Sequence, residues 1–554
     1  MSNAFHRTPV EVYLERRHRL VLLAGLLAMA TLALFIYWRW ISEVPVDYAD
    51  DADHFAYGSI GSDSYSGIPY WIWRVLPEVF PDHLPQGDKM RRANGEIADG
   101  LTGYQQFGFI IEEGADRPVG FSRRRVLVDR VGLNCAVCHT GTLRVTGGMD
   151  PDRVYGAPPR YVSSNNERIV ILGMPAHTVD LARYFKFLFD AVDDPRFTAD
   201  VLLSYIDERT DLSTIDRILY RLSVAPLRET LLLRRRQLND LFGRSDATAL
   251  GPGRIDTFNP YKRIQFGFAH DDSIGTADFP SLWNQRPRTG MRLHWDGNNS
   301  SVFERNISAS LGAGATPVGL DFPRMLRMAA WTGSPDPRWD VDLSAAEREA
   351  FVREARVDPF PAADELQVPA FPFSIDTAAA GRGRVVYDAQ CASCHAFTGE
   401  YVGTVVPLAD IGTDPERFNS YTTELSTHQG TLGAGQWWRF EHFRKTDGYA
   451  NMPLDGIWAR APYLHNGSVP TLWDLLQVVE QRPTDFYRGD DAYDPVKVGF
   501  RSDRPVSDDG RNLFWFDTTL PGNGNGGHLY GTNLSEPEKD DLLVYLKTLG
   551  GRTP

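Results

Sequence analysis

All four cysteines of this 554-residue chain fall in two pentapeptides, Cys135-Ala136-Val137-Cys138-His139 and Cys391-Ala392-Ser393-Cys394-His395. With 13 histidines available, random order would produce even one such string about once in a thousand chains. On a helical turn, positions i, i+3 and i+4 share a face. Both thiols can then add to the two vinyl groups of one haem while the histidine reaches its iron. The expected cofactors are two covalently bound haem c groups. Cys135 and Cys138 would hold the first, with His139 on its iron, and Cys391 and Cys394 the second, with His395. A disulfide between neighbouring cysteines leaves the histidine after each pair unexplained. A single zinc site would have to close a loop of roughly 250 residues, far beyond usual zinc-finger spacing. A thioredoxin-type pair lacks that histidine and sits in a βαβ setting.

Helices are expected to position both motifs. Asp376 and Thr377 are capping residues for a helix that runs into the second motif,. Ser535 caps a closing amphipathic helix with Pro537 in its first turn and Leu542, Leu543, Tyr545 and Leu546 inward,. In the first half, Thr178 to Val192 and Thr214 to Phe242 show helical apolar spacing and read as scaffold,. Val357 to Phe373 carries four prolines and no helical period, so it reads as a linker,. The expected architecture is all-α, with two cytochrome c-like haem domains packed together after an N-terminal transmembrane helix. The segments are 1–48, the cytoplasmic N-terminus and anchor; 49–335, the N-terminal haem domain with its helical insertion; 336–373, the Pro-rich linker; and 374–554, the C-terminal haem domain.

The anchor is Val21 to Trp38, 18 residues without a charge, close to the ~20 that cross a bilayer. Arg7, Arg16, Arg17 and Arg19 precede it, and Arg39 alone follows before an acidic run. The positive-inside rule keeps the N-terminus in the cytoplasm and exports the remainder, to the periplasm of a bacterial inner membrane. A cleaved signal peptide would have a shorter apolar region ending in small residues, unlike Ile36, Tyr37 and Trp38. The formal net charge of −14 argues against nucleic acid as a partner.

Each haem motif is followed by a similar segment. The first half has Pro280-Ser281-Leu282-Trp283-Asn284 and later Leu293-His294-Trp295-Asp296-Gly297; the second has Gly456-Ile457-Trp458-Ala459 and later Tyr463-Leu464-His465-Asn466-Gly467. The pattern suggests a duplicated haem domain with extra helical material in the first copy.

The order of these motifs resembles the bacterial di-haem cytochrome c peroxidases. The strings "GLNCAVCHTGTL", "LHWDGNN", "GIWARAPYLHNGSVPTL" and "GHLYGTNLS" are more similar to rubber oxygenase A and its di-haem relatives, a branch of the same superfamily. The resemblance spans about residues 100 to 550. It implies that His270, ten residues before Pro280, covers the distal face of the first haem; a surface-loop place is the alternative. It implies that Trp295 relays electrons between haems, against simple core filling. Glu304, eight residues past Asp296, would be the distal acid/base, against an ordinary ion pair with Arg305. His294 is either a hydrogen-bonding core residue or a haem neighbour. Peroxidases of this kind ligate the second haem with a methionine near the C-terminus. Here that region holds His528, and the resemblance points to it as sixth ligand, with Met452 and His465 as alternatives. A His/His pair lowers the potential relative to His/Met. Some relatives also hold a calcium ion between the domains.

The function implied is that of a membrane-anchored di-haem oxidoreductase activating peroxide or dioxygen, the latter on an organic substrate. It would be served by a redox partner protein or a quinol-linked donor. The alternative is a non-catalytic periplasmic electron carrier.

Overall fold

The computed structural model describes residues 9–38, 42–90, 98–155, 159–162, 167–242, 250–336, 344, 346, 349 and 365–551. Helix α1, Pro9–Ile36, includes a 21-residue stretch, Arg16–Ile36, long and apolar enough to cross a membrane. Residues 357–364 of the Val357 to Phe373 stretch lie outside the described residues; the described part, 365–373, has no helix or strand.

The all-α expectation is wrong. Helix accounts for 41% of the chain and strand for 12%, and the described residues form six small sheets, so the class is mixed α/β. The largest sheet has the order β1-β3-β4-β2, from Val44–Pro45, Phe121–Val126, Val128–Leu133 and Ile68–Pro69 respectively. Its central hairpin turns at Leu127, which has φ +68°. Arg124 faces inward from β3, where it pairs with Asp63 at 3.1 Å, Glu43 at 2.7 Å and Asp321. Three carboxylates from distant segments compensate one buried guanidinium, which makes the pairing a strong fixer of this sheet. Strands of two to six residues leave too little period to be read against helical spacing,.

The first haem motif therefore leaves a β-hairpin and enters a strand. Leu133 ends β4, and β5, Thr140–Arg144, follows His139 and pairs with β7, Arg168–Leu172, itself flanked by β6, Arg160–Tyr161. Helices α2, Tyr70–Val79; α3, Leu181–Asp193; and α4, Thr214–Phe242, pack around an aromatic core. In it Trp73 stacks on Tyr104 with centroids 4.3 Å apart.

Helix α5, Val302–Gly312, follows the Trp-Asp-Gly segment. The second haem motif does follow a helix, α6, Thr377–Gln390, capped by Asp376. The closing helix α7, Glu536–Leu546, carries the full capping box between Ser535 and Glu538,. The two cross at Gly383, where a Cβ would lie 1.9 Å from the Asp541 carbonyl oxygen; only glycine permits that approach. One hydrophobic cluster joins Leu143 and Ile171 of the first sheet-bound half to Trp283, Trp458, Tyr493 and Leu542.

Candidate functional site

The first motif is a short 3₁₀ turn, Cys135–Val137. Asn134 holds it: its Oδ1 accepts from Ala136 N at 2.9 Å, and its Nδ2 donates to Phe55 O and Gly58 O at 3.1 and 2.8 Å. Removing three buried hydrogen bonds costs about 2–3 kcal/mol. Asn134→Ala is expected to lower the unfolding free energy of the holoprotein by that amount, measured by denaturant titration. His139 Nδ1 donates to Pro280 O at 2.7 Å, which fixes the tautomer and leaves the Nε2 lone pair for a metal. Burial pushes the His139 pKa down to about 4 and the Cys135 thiol up to about 11. An imidazole kept neutral is the form that ligates.

The second motif repeats this logic from a helix end. Cys391 caps α6, Ala392–His395 is a single helical turn, and His395 Nδ1 donates to Met452 O at 2.8 Å. The His395 and His528 rings face each other with centroids 6.2 Å apart. Two metal–nitrogen bonds of about 2.0 Å, each nitrogen about 1.1 Å from its ring centre, put two imidazoles across one metal at about 6 Å. All four cysteine sulfurs are free of disulfides. The donor set thus fits two haem c groups, the second with histidine on both faces.

Met452 meets His395 through its backbone, and His465 is engaged by an aromatic neighbour. The Met452 carbonyl accepts from His395 Nδ1. His465 stacks on Tyr449 at 4.2 Å, and its Nε2 is within 3.1 Å of the Tyr449 hydroxyl.

His528 sits on a glycine-rich loop at φ +48°. Its N–H donates to Ile411 O, and Arg482 clamps the loop through Asn525 O, Gly527 O and His528 O at 2.6, 2.9 and 3.3 Å. Arg482 is a positioning residue that the sequence did not reveal, because its contacts are all to backbone carbonyls.

The two similar segments share one backbone. Leu293 bridges Asn299 as Tyr463 bridges Val469. His294 and Leu464 have φ +71° and +67°, and Gly297 and Gly467 +64° and +63°. His465 consequently occupies the position that Trp295 has in the first copy.

Trp295 connects the two motifs. Its Nε1 donates to Asp278 O at 3.0 Å, two residues from the Pro280 carbonyl that holds His139. Its own carbonyl accepts from Ala450 N at 2.8 Å, two residues from the Met452 carbonyl that holds His395. One tryptophan and two tripeptides therefore span the two motif histidines, His139 and His395.

Residues 448–488 match a RoxA-like, cytochrome c-like family model. The matched stretch contains Met452, Trp458 and His465. It supports a cytochrome c-like domain with covalently bound haem. Two curated relatives, both uncharacterized proteins of Sinorhizobium fredii (strain NBRC 101917 / NGR234), are similar to the chain. The protein y4iJ is 27% identical over 80% of this chain and 84% of its own length. The protein y4iM is 30% identical over 49% of this chain and 64% of its own length.

The residues flanking Trp295 are tightly held. Arg417, without solvent exposure, donates to His294 Nδ1 at 2.8 Å and pairs with Asp296 at 3.2 Å. His294 is thus a hydrogen-bonding core histidine, and burial, with Arg305 and Arg417 adding to it, drives its pKa well below the usual value. Glu304 is buried on the first turn of α5. Its carboxylate accepts from Asn299 Nδ2 at 2.9 Å, Glu441 N at 2.7 Å, His442 N at 3.1 Å and His442 Nδ1 at 2.6 Å. Its partners are these, rather than Arg305, whose guanidinium is buried deeply enough to pull its pKa down to about 10 and whose charge bears on His139.

His270 stands apart from this group, half exposed and paired with Asp240 at the end of α4. That is the surface-loop alternative. His270→Ala is expected to leave both haem spectra unchanged by optical titration. Among the described residues no group of three or more His, Cys, Asp or Glu side chains could hold a metal ion, so the calcium expectation gains no support there.

Proposed function

We propose that this protein is a membrane-anchored di-haem c-type cytochrome oxidoreductase. Electrons pass between haems held by His139 and by His395 with His528, and the first haem is the reactive one. The Arg-rich flank of α1 supports placing the haem-bearing part on the outer side of a bacterial inner membrane,. The observation that carries the proposal is the hydrogen-bonded route from His139 through Pro280, Asp278, Trp295, Ala450 and Met452 to His395.

A haem held by Cys135, Cys138 and His139 would supply redox chemistry toward peroxide or dioxygen. The chain's own residues do the rest. The Pro280 carbonyl orients His139 and raises its basicity as a ligand. Trp295 and its two backbone contacts keep the haem-bearing segments in register. Glu304, as a buried carboxylate with four donors, ties α5 to residues 441–442; to accept a proton from a substrate it would first have to give up one of those donors, such as the His442 ring.

Glu304's full set of donors favours a second reading, a pure electron carrier. The two part on a spectrum. Full-chain holoprotein is recorded reduced and oxidised, before and after peroxide, and separately after dioxygen with an unsaturated hydrocarbon. The oxidoreductase reading expects the first haem to change with one of them. No change with either leaves only the carrier. If the enzyme reading holds, Glu304→Gln is expected to lower turnover by about 100-fold, a typical loss for a removed acid/base; parent-rate turnover takes Glu304 out of the chemistry.

A further inference from the structure

Beside the Trp-Asp-Gly segment lies a cleft of about 440 Å³ whose charged walls are Arg292, Arg444, Lys445 and Asp447, with Thr404 and Thr446 between them. The chain has 72 acidic residues against 58 basic, yet among the described residues no carboxylate pairs with Arg292 or Arg444. Arg292 Nη1 is buried and without a hydrogen-bond partner. Lys445 is partly engaged: its Nζ donates to Phe418 O and lies over the Phe418 ring. The Arg292 and Arg444 guanidinium groups line the same cleft and the charge of one bears unfavourably on the other, and a buried donor left unmade is costly. Such a group calls for an anion.

The cleft's position says what an anion there would touch. Arg292 is three residues before Trp295 and packs against Gly297, whose Cβ would fall 3.2 Å from Arg292 Cβ. Thr446 Oγ1 donates to Asp296 O at 2.5 Å. The strand Val405–Pro407 pairs with Gly448–Ala450, which leads directly to the Met452 carbonyl that holds His395. The cleft therefore borders the segment between the two haem motifs.

We propose that this cleft binds a carboxylate between Arg292 and Arg444. Guanidinium forks match planar carboxylates with two parallel hydrogen bonds. Two sources carry that group: a propionate side chain of the protein's own haem, or a carboxylate from outside, such as one on a partner's surface. The proposal rests on the di-haem reading in its first source only.

The test uses full-chain holoprotein in detergent at low ionic strength, with citrate as the external carboxylate. Wild type is titrated calorimetrically against Arg292→Gln and Arg444→Gln; Arg444 is exposed, so its variant keeps the test alive should Arg292→Gln fold poorly. Citrate bound by wild type and weakened about tenfold or more in either variant assigns an external carboxylate. No citrate binding, with altered haem propionate bending modes in resonance Raman spectra of the variants, assigns the propionate. Unchanged Raman modes together with no citrate binding, or with binding equal in all three proteins, overturns the proposal. Absence of covalent haem in the wild type would instead count against the di-haem reading, and the citrate arm would still report on the cleft.

Discussion

If His528 is the sixth ligand of a haem on His395, as proposed, His528→Ala is expected to convert that haem from a six-coordinate low-spin group to a high-spin one, changing the spectrum of about half of the haem in a di-haem protein. The effect is large because the place of His528 is so specifically built. Its ring lies 6.2 Å from that of His395, on a loop whose turn at φ +48° is uncommon for residues other than glycine, with asparagine, aspartate and histidine the more tolerant exceptions. Arg482 holds that loop through three carbonyls. His528→Met, which keeps a ligand, is expected to raise the haem potential in a redox titration, since a thioether favours the reduced iron. Arg482→Gln frees the loop while leaving the imidazole in place, and gives an intermediate mixture of spin states. A His528→Ala protein with an unchanged low-spin spectrum contradicts the ligand assignment.

On the proposed di-haem reading, Trp295→Phe is expected to slow electron exchange between the haems by about tenfold or more, equivalent to at least ~1.4 kcal/mol of barrier. The phenyl ring fills most of the indole's volume but cannot donate to the Asp278 carbonyl, a bond of 3.0 Å. The stability loss should be near that of one hydrogen bond, about 1 kcal/mol, and both haem spectra should persist. Flash-photolysis of the mixed-valence protein reads the rate, and thermal unfolding reads the stability. A stability loss with no change of rate would reduce Trp295 to core filling.

What could be read in the sequence follows from where the chemistry is local. Covalent haem attachment requires two thiols and an imidazole within five residues, so both motifs stand out in the bare chain. Capping is equally local: Asp376 and the Ser535–Glu538 box begin their helices as expected. The likeness between the Trp295 and His465 segments also lay in the sequence, and the matching positive φ angles at His294 and Leu464 give it a physical basis.

The rest depends on partners far along the chain. Glu304 meets His442, 138 residues away, and Arg417 meets His294, 123 residues away; no spacing rule connects them. The resemblance ties His270 to the first haem through its distance from Pro280, whereas its side chain pairs with Asp240 on α4, in the helical material that separates the first motif from its partner segment. The fold class failed for a different reason. Strands such as Val44–Pro45 and Ile68–Pro69 are two residues long and exist only because the β3–β4 hairpin offers them an edge. Arg124, which three carboxylates draw inward, reverses the polar-outward alternation that would have marked β3 as a strand.

The central claim is that each of the two Cys-x-x-Cys-His motifs carries its own covalent haem. Intact-mass spectrometry of the denatured, full-chain protein, made in cells competent for haem maturation, tests it directly. The account predicts a mass above that of the polypeptide by two haem groups, with all four cysteines resistant to alkylation and tryptic haem-peptides at Cys135–Cys138 and Cys391–Cys394. A chain that retains one haem or none, with either cysteine pair open to alkylation, contradicts it.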